Sequence, residues 1–366
     1  MTEHQADDKS LDWRELSAFD NHEFLMALTD EASGLKAYVA IHNTNRGPAL
    51  GGTRFKMYDS DLAAVEDVLN LSKAMTNKCA LAGLSFGGGK AVIVNSPGLD
   101  RRKVLQAYAR LIDKLDGLFK TGTDVGVSDA DVRFMAESTT HMLGVIEADR
   151  GDLTTSSIAG LGVYYSAKAA LKQLYGSDSF LNRSIAIKGT GKVGSALAQL
   201  VTDEGGKVIV SDIEHDQCKR LQVAIPSIQI SDNFHIHRQV VDVYAPCALG
   251  QEFTESTVEE LQCRAIAGGA NNQLASLEIG YVLHDKGILY APDYIVNAGG
   301  LLYVADELEP GGFNSARVHE RTAAIQNILR QIFERAAIEN LPPFVVADRI
   351  AAERTAFRAE GASRDI

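Results

Sequence analysis

Reactive side chains stand beside glycines at three places in this sequence. The first is LSFGGGKAVIV, residues 84–94, where Gly87, Gly88 and Gly89 run into Lys90. Glycine lets a backbone turn tightly or approach a neighbour closely, and Val92, Ile93 and Val94 read as a buried strand. A glycine turn would carry the Lys90 ammonium to the mouth of that strand, where burying a charge is costly. A phosphate loop does not fit. Its first glycine would fall at Leu84, and Ala91 stands where Ser or Thr should follow the lysine. The lysine either snorkels to water or serves a reacting group. The second place is KTGTDVGVSDADV, residues 120–132, a glycine-broken segment that leaves Asp124 on a loop. Ser128 and Asp131 then read as the N-terminal cap of a helix.

The third place is SIAIKGTGKVG, residues 184–194, followed by a second apolar run that ends at Asp212. Strand, glycine turn, helix, strand and acid, with the acid roughly 20 residues past the first glycine, is the order of a dinucleotide-binding unit. Gly189 would make the turn, Gly191 would let the backbone reach the pyrophosphate, and Gly194 would let helix and strand pack. The pyrophosphate would rest on unpaired N–H groups at the helix start. Asp212 can accept from both ribose hydroxyls and would repel a 2′-phosphate. Ile213, Glu214 and His215 follow it with no arginine, which favours NAD over NADP.

These segments must be positioned by ordinary elements. The chain has 366 residues and 45% hydrophobic content, enough for two domains with separate cores. A net charge of −12 argues against nucleic acid or an anionic membrane surface as the main partner. No run is long enough to span a membrane, and the acidic, polar start does not read as a signal peptide. Cys79, Cys218, Cys247 and Cys263 have no metal-ligand spacing, so no metal site is expected, and they suit reduced thiols in the cytoplasm. Residues 35–42 alternate as a strand. A helix begins near Asp59, capped by it or by Ser60, and delivers Lys78 near its C-terminal end, where a cation suits the helix dipole. Further helices are expected over 101–116 and from Ile158 to about Tyr175. A long last one carries Val318, Thr322, Ile325, Leu329 and Ile332 on one face. Short apolar runs near 240, 265 and 288 read as additional parallel strands.

The sequence as a whole resembles the Glu/Leu/Phe/Val amino-acid dehydrogenase family. The resemblance is carried by GPALGGTRF (47–55), LSKAMTNKCAL (71–81), LSFGGGKAVIVNSP (84–97), TGTDVG (121–126), GTGKVG (189–194), PCALG (246–250), GGANNQL (268–274) and APDYIVNAGGL (291–301). It implies an α/β protein of two domains with an active-site cleft between them. Residues 1–148 would form an N-terminal α/β domain for substrate and oligomerisation, and 149–339 a Rossmann-type NAD domain. Residues 340–366 would pack back on the first domain. The implied reaction is reversible NAD-dependent oxidative deamination of an L-amino acid to a 2-oxo acid and ammonia, in a homo-oligomer.

The resemblance also assigns residues. Lys78, with the backbone at Gly51 and Gly52, would bind the substrate carboxylate. Lys90 would be the catalytic lysine, with a lowered pKa, and Asp124 the proton-passing acid. Asn297 would fix substrate or nicotinamide. Gly189, Thr190, Gly191, Lys192, Val193, Gly194 and Asp212, with Ala245, Pro246, Cys247 and Asn271, would hold the cofactor. One departure stands out: Ala159 occupies the place where many relatives carry a threonine that reaches the nicotinamide carboxamide. Thr155, Ser156 or Ser157 could substitute. Glutamate-directed relatives have a lysine where Leu50 stands, so Leu50 and Met75 suggest an apolar pocket and a poor fit for glutamate. Gly122, where leucine-directed relatives often have alanine, would leave room for a methyl group or more and tilts the choice toward phenylalanine, with leucine and valine close behind. The rivals are an imine-coupling relative of the same fold, a catalytically silent NAD-binding protein, and a 2-hydroxy-acid dehydrogenase, which would need a His or Arg at the chemistry.

Overall fold

A computed structural model describes residues 13–145 and 153–356, and these fall into two compact units. One contains residues 13–79 and 85–145, the other 80–84 and 153–356. The expected domain boundary at 148/149 lies outside the described residues.

The first unit is built on strands β1 (Phe24–Asp30), β2 (Leu35–Asn43), β3 (Ala49–Lys56), β4 (Gly87–Val94) and β5 (Phe119–Gly122). Its helices are α1 (Asp61–Leu81), α2 (Arg101–Asp113) and α3 (Asp129–Ala136). The strands order as β1-β2-β4-β3-β5, with β3 parallel to both β4 and β5 and β2 antiparallel to β1 and β4. Alternation decides which way each strand faces. Ala37, Val39, Ile41, Ala91 and Ile93 pack with α2 residues such as Val104 and Tyr108. Ala40 and Val92 pack with Ala64, Val65, Val68 and Leu69 of α1. Ser60 caps α1 by accepting from the Ala63 N–H at 3.1 Å, and Ser128 with Asp131 closes the expected capping box on α3.

Two expectations change here. The glycines before Lys90 are not a turn: Gly87–Gly89 lie inside β4, with Lys90 at mid-strand opposite Ala40 of β2. They permit close packing instead. A Cβ on Gly88 would overlap the Thr76 backbone of α1, and one on Gly89 would press into the Phe119 ring at 2.8 Å. In the same way, part of the glycine-broken stretch before Asp124 is a strand, β5, held at the edge of the sheet by β3.

The second unit opens with α4 (Thr155–Tyr175), then alternates β6 (Ser184–Lys188), α5 (Lys192–Asp203), β7 (Lys207–Ser211), α6 (His215–Ala224) and β8 (Gln229–Ile230). It continues through β9 (Val243–Pro246), α7 (Glu255–Glu260), β10 (Ala265–Ile266), α8 (Leu277–Asp285) and β11 (Leu289–Tyr290). Helices α9 (Asp293–Val296), α10 (Ala298–Ala305), α11 (Ser315–Glu339) and α12 (Pro343–Thr355) complete it. All strand pairs in its sheet are parallel, in the order β11-β10-β9-β6-β7-β8. That is the doubly wound dinucleotide order, with its topological switch between β6 and β9. Val318, Thr322, Ile325, Leu329 and Ile332 of α11 are all buried, as their spacing predicts.

The C-terminal segment differs from expectation. Rather than returning to the first domain, α12 belongs to the second unit. Phe344 packs edge-on against Tyr281 at 5.4 Å and lies over Gly280, where a side chain would block it. Tyr294 donates to Asp348 at 2.7 Å, and Arg354 donates to the carbonyls of Ala80 and Leu81, which cluster with this unit. Residues 357–366 lie outside the described residues.

Candidate active site

In the first unit the sheet face toward α1 collects the charged groups. Alternate residues of β3 (Leu50, Gly52, Arg54 and Lys56) share this face with Lys90 of β4. On α1 the helical repeat puts Asp67, Leu71, Met75 and Lys78 on one stripe. Lys78 is half-buried in the last turn, and Met75 Cγ would lie 3.3 Å from a Cβ added to Gly51. Gly52 is bare because a Cβ there would meet Thr123 O at 2.5 Å and Asp124 Cβ at 3.0 Å. This absence lets the loop after β5 bring Asp124 over the strand.

Lys90 Nζ donates to Asp124 Oδ2, and Lys90 is only 5% exposed. Burial is the main reason its ammonium sits below the ordinary lysine value; the Asp124 charge opposes this, and the nearby Arg54 cation reinforces it. Burial acting alone would raise the Asp124 carboxyl. The Lys90 ammonium, Arg54 and the Val125 N–H outweigh it and hold Asp124 below the usual carboxylate range. The result is a shielded ammonium–carboxylate pair joined by one hydrogen bond, an arrangement through which a proton can pass.

Two further residues expected at the substrate are Leu50 and Gly122. Leu50 is fully buried, in register with Gly88 of β4 and Lys120 of β5. Gly122 ends β5 opposite Gly52, but the spare room expected there is small. An added Cβ would press on Leu143 O at 3.1 Å and Leu143 Cβ at 3.4 Å. Sequence reasoning did not single out Arg54, Asp67 or Lys120. A signal for Arg54 exists in the GGTRF stretch, because period-two alternation puts it on the face of Gly52.

In the second unit the glycine turn follows β6. Gly189 has φ +100°, a conformation that favours glycine, and Gly194 is bare because a Cβ would strike the Gly189 carbonyl. Gly191 caps α5 without a side-chain hydrogen bond, and a Cβ placed on it would meet nothing within 4 Å. The start of α5 is therefore uncapped by a side chain and uncrowded at Gly191. Asp212, just past β7, accepts from the Thr190 N–H at 2.7 Å and hydroxyl at 3.1 Å, tying acid to turn. Lys192 and Val193 open α5, while Ala245 and Pro246 end β9, across the switch point from β6. Cys247 donates its N–H to Lys188 O at 2.7 Å, and burial pushes its thiol up to about 11, so it remains a neutral thiol. Cys79 and Cys263 are likewise pushed up to about 12. The open cradle, the uncapped helix start and the tethered acid fit a dinucleotide.

Asn297, between α9 and α10, donates to Asn271 Oδ1 at 2.7 Å, so the two asparagines form one unit. The glycines after Asn297 pack directly on the start of α4: a Cβ on Gly299 would lie 3.2 Å from Ala159 Cα, and one on Gly300 would lie 3.3 Å from Thr155 Cγ2. Of the hydroxyls that could replace the missing threonine, Ser157 is committed to the cap with Thr154. Among the described residues no cluster of His, Cys, Asp and Glu has the arrangement of a metal site. No described helix is long and apolar enough to cross a membrane.

Comparison with known proteins agrees with this geometry. Residues 22–141 match the profile described as Glu/Leu/Phe/Val dehydrogenase, dimerisation domain, and residues 151–215 and 214–359 match that of glutamate/leucine/phenylalanine/valine dehydrogenase. The chain belongs to the Glu/Leu/Phe/Val dehydrogenase family. It is an amino-acid dehydrogenase, an oxidoreductase. It is 42% identical to the phenylalanine dehydrogenase of Thermoactinomyces intermedius over 91% of each chain. It is 39% identical to the leucine dehydrogenase of Bacillus subtilis (strain 168), again over 91% of each. With the valine dehydrogenase of Streptomyces coelicolor it shares 41% identity over 92% of each. Among solved structures it resembles the L-tryptophan dehydrogenase from Nostoc punctiforme, with a TM-score of 0.83 and 34% identity, covering 92% of this chain and 96% of that one.

Proposed function

We propose that this protein catalyses reversible NAD-dependent oxidative deamination of a hydrophobic L-amino acid, phenylalanine or leucine and valine, to the 2-oxo acid and ammonia. The observation that carries the reading is the buried Lys90–Asp124 pair. Lys78 pairs with the substrate α-carboxylate, helped by the backbone at Gly51 and Gly52. Asp124 takes a proton from the α-ammonium, freeing the amine lone pair. Bound nicotinamide supplies the acceptor for the hydride from Cα, leaving an iminium on the substrate. Lys90, as the neutral amine, takes a proton from the water that adds to that carbon. Asp124 then returns its proton to the nitrogen of the carbinolamine; the C–N bond breaks with its electron pair going to nitrogen, the hydroxyl proton passes to the freed Asp124 carboxylate as the carbonyl forms, and ammonia departs. Asn297, braced by Asn271, orients the substrate or the nicotinamide ring.

Asp212 and the absence of a following arginine favour NAD over NADP. The relatives act on phenylalanine, leucine and valine, as their names state, and Leu50 has no charge to offer a side-chain carboxylate. The dimerisation domain of the family supports a homo-oligomer, and unpaired cysteines support a cytoplasmic enzyme. The test is NADH formation at alkaline pH with L-Phe, L-Leu, L-Val and L-Glu in parallel, repeated with NADP. Turnover of the apolar substrates with NAD supports the reading. Turnover of L-Glu alone would contradict it and assign Lys120, the cation in register with Leu50, to the side-chain carboxylate.

A further inference from the structure

Arg54 and Asp67 take no proton in this scheme, yet they determine how Asp124 is presented. Asp124 Oδ1 is taken by two donors, Arg54 Nε at 2.9 Å and the Val125 N–H at 2.6 Å. Only Oδ2 remains for Lys90. Arg54 is anchored from its other side, where Nη1 donates to both oxygens of Asp67 at 3.1 Å. Asp67 also accepts from the Tyr58 hydroxyl at 2.7 Å, and Lys56 Nζ lies 3.7 Å away. Charges alternate along this row, from Lys90 through Asp124, Arg54 and Asp67 to Lys56. Side-chain exposure rises along it from 6% at Lys90 to 41% at Lys56.

Building on the deamination reading, we propose that Asp67 is a positioning residue that acts through Arg54, fixing the Asp124 carboxylate with one oxygen closed and the other turned to Lys90. A guanidinium suits the middle of this row because its rigid planar fork presents separate nitrogens to the two carboxylates, where a lysine would offer one mobile ammonium. The charged groups that reach Lys90 come from three elements. Asp124 follows β5, Arg54 is on β3, and Asp67 is on α1, whose last turn also carries Lys78. β2 places only Ala40 opposite Lys90. Asp124 and Asp67 favour the Lys90 ammonium, whereas Arg54 disfavours it. Without the Asp67 charge, Arg54 is uncompensated, and Lys90 releases its proton at lower pH.

The test compares full-length wild type, Asp67→Asn and Asp67→Glu by pH profiles of kcat and KM. In parallel, the pH dependence of Lys90 acetylation by an amine-reactive ester is read by peptide mass spectrometry. In Asp67→Asn the rise of kcat with pH is expected to move down by roughly half a unit. The maximal kcat should fall several-fold with KM nearly unchanged, and Asp67→Glu should restore the profile. The acetylation midpoint should move in the same direction. A folded Asp67→Asn protein with both profiles unmoved overturns the proposal. Acetylation needs no turnover: a shifted midpoint in an enzyme that oxidises no amino acid upholds the positioning role and refutes the deamination reading. Should Asp67→Asn not fold, Arg54→Lys keeps the charge without the fork. A kcat equal to wild type in that variant would also overturn the proposal.

Discussion

With Oδ1 held by Arg54 and Val125, Asp124 has a single oxygen left for the proton transfer proposed above, and its neighbours hold its carboxyl below the usual range. Asp124→Asn removes the proton acceptor and leaves the buried Lys90 without its counter-charge. We expect kcat at saturating amino acid to fall by about 10²–10⁴, measured as NADH formation. Asp212 belongs to the same scale in the second unit. Asp212→Ser removes the carboxylate that accepts from Thr190 and would repel a 2′-phosphate, so the ratio of kcat/KM for NADP to that for NAD should rise about tenfold or more, the worth of a charged hydrogen bond. Lys90 and Asp124 could be read in the sequence because a lysine after glycines and an acid before a helix cap are local patterns. Asp67 could not, and alternation along β3 places Arg54 on the face of Gly52 without naming its partners. The two meet only after β3 has paired with β4 and β5 and α1 has crossed the sheet, contacts that spacing along the chain does not encode.

At the scale of elements, the glycines of the two units do different work. Gly88 lets the Thr76 backbone of α1 settle on β4, so Gly88→Ala must push the helix away. It should destabilise the protein by about 1–3 kcal/mol, read from urea unfolding. Gly191 has open space before it. Gly191→Ala should therefore leave unfolding within ~0.5 kcal/mol of wild type and yet weaken NAD binding, read by titration calorimetry. Equal effects on both quantities would contradict this division. The strand–turn–helix of the second unit was legible because φ and packing there depend on nearby residues. The GGGK run misled because glycine in a sequence usually signals a turn, whereas here it is a strand thinned for a helix. Strand β5 escaped notice because it has only four residues and ends in Gly122, and pairing with β3 is what makes it a strand.

The molecule as a whole carries an acid-sensitive seam between β2 and α1. His42 accepts from or donates to Thr76 Oγ1 at 2.9 Å and meets the His22 ring edge-on at 4.8 Å. Burial first, and then the neighbouring His22, lower the His42 imidazole from 6.5 to about 4, and His22 is lowered as well by burial. Above pH 6.5 the folded and unfolded forms are both neutral at His42, and stability is full. As pH falls from 6.5 toward 4, the unfolded chain takes up a proton that the folded one refuses, so stability declines. The urea midpoint should fall between pH 7 and pH 5, and His42→Gln should show a shallower fall; an identical slope in both proteins would contradict this. The two-unit organisation was legible from the length and hydrophobic content of the chain and from the dinucleotide motif. The seating of α12 was not, since it depends on Phe344 finding bare Gly280 and on Asp348 meeting Tyr294.

The most direct measurement takes purified wild type and Lys90→Ala with L-Phe or L-Leu and NAD, following NADH by absorbance and ammonia by a coupled assay. We predict one ammonia per NADH in the wild type and a loss of at least about a hundredfold in the variant. NADH without ammonia would point to imine coupling, and a variant with full activity would contradict the assignment of Lys90 as the base.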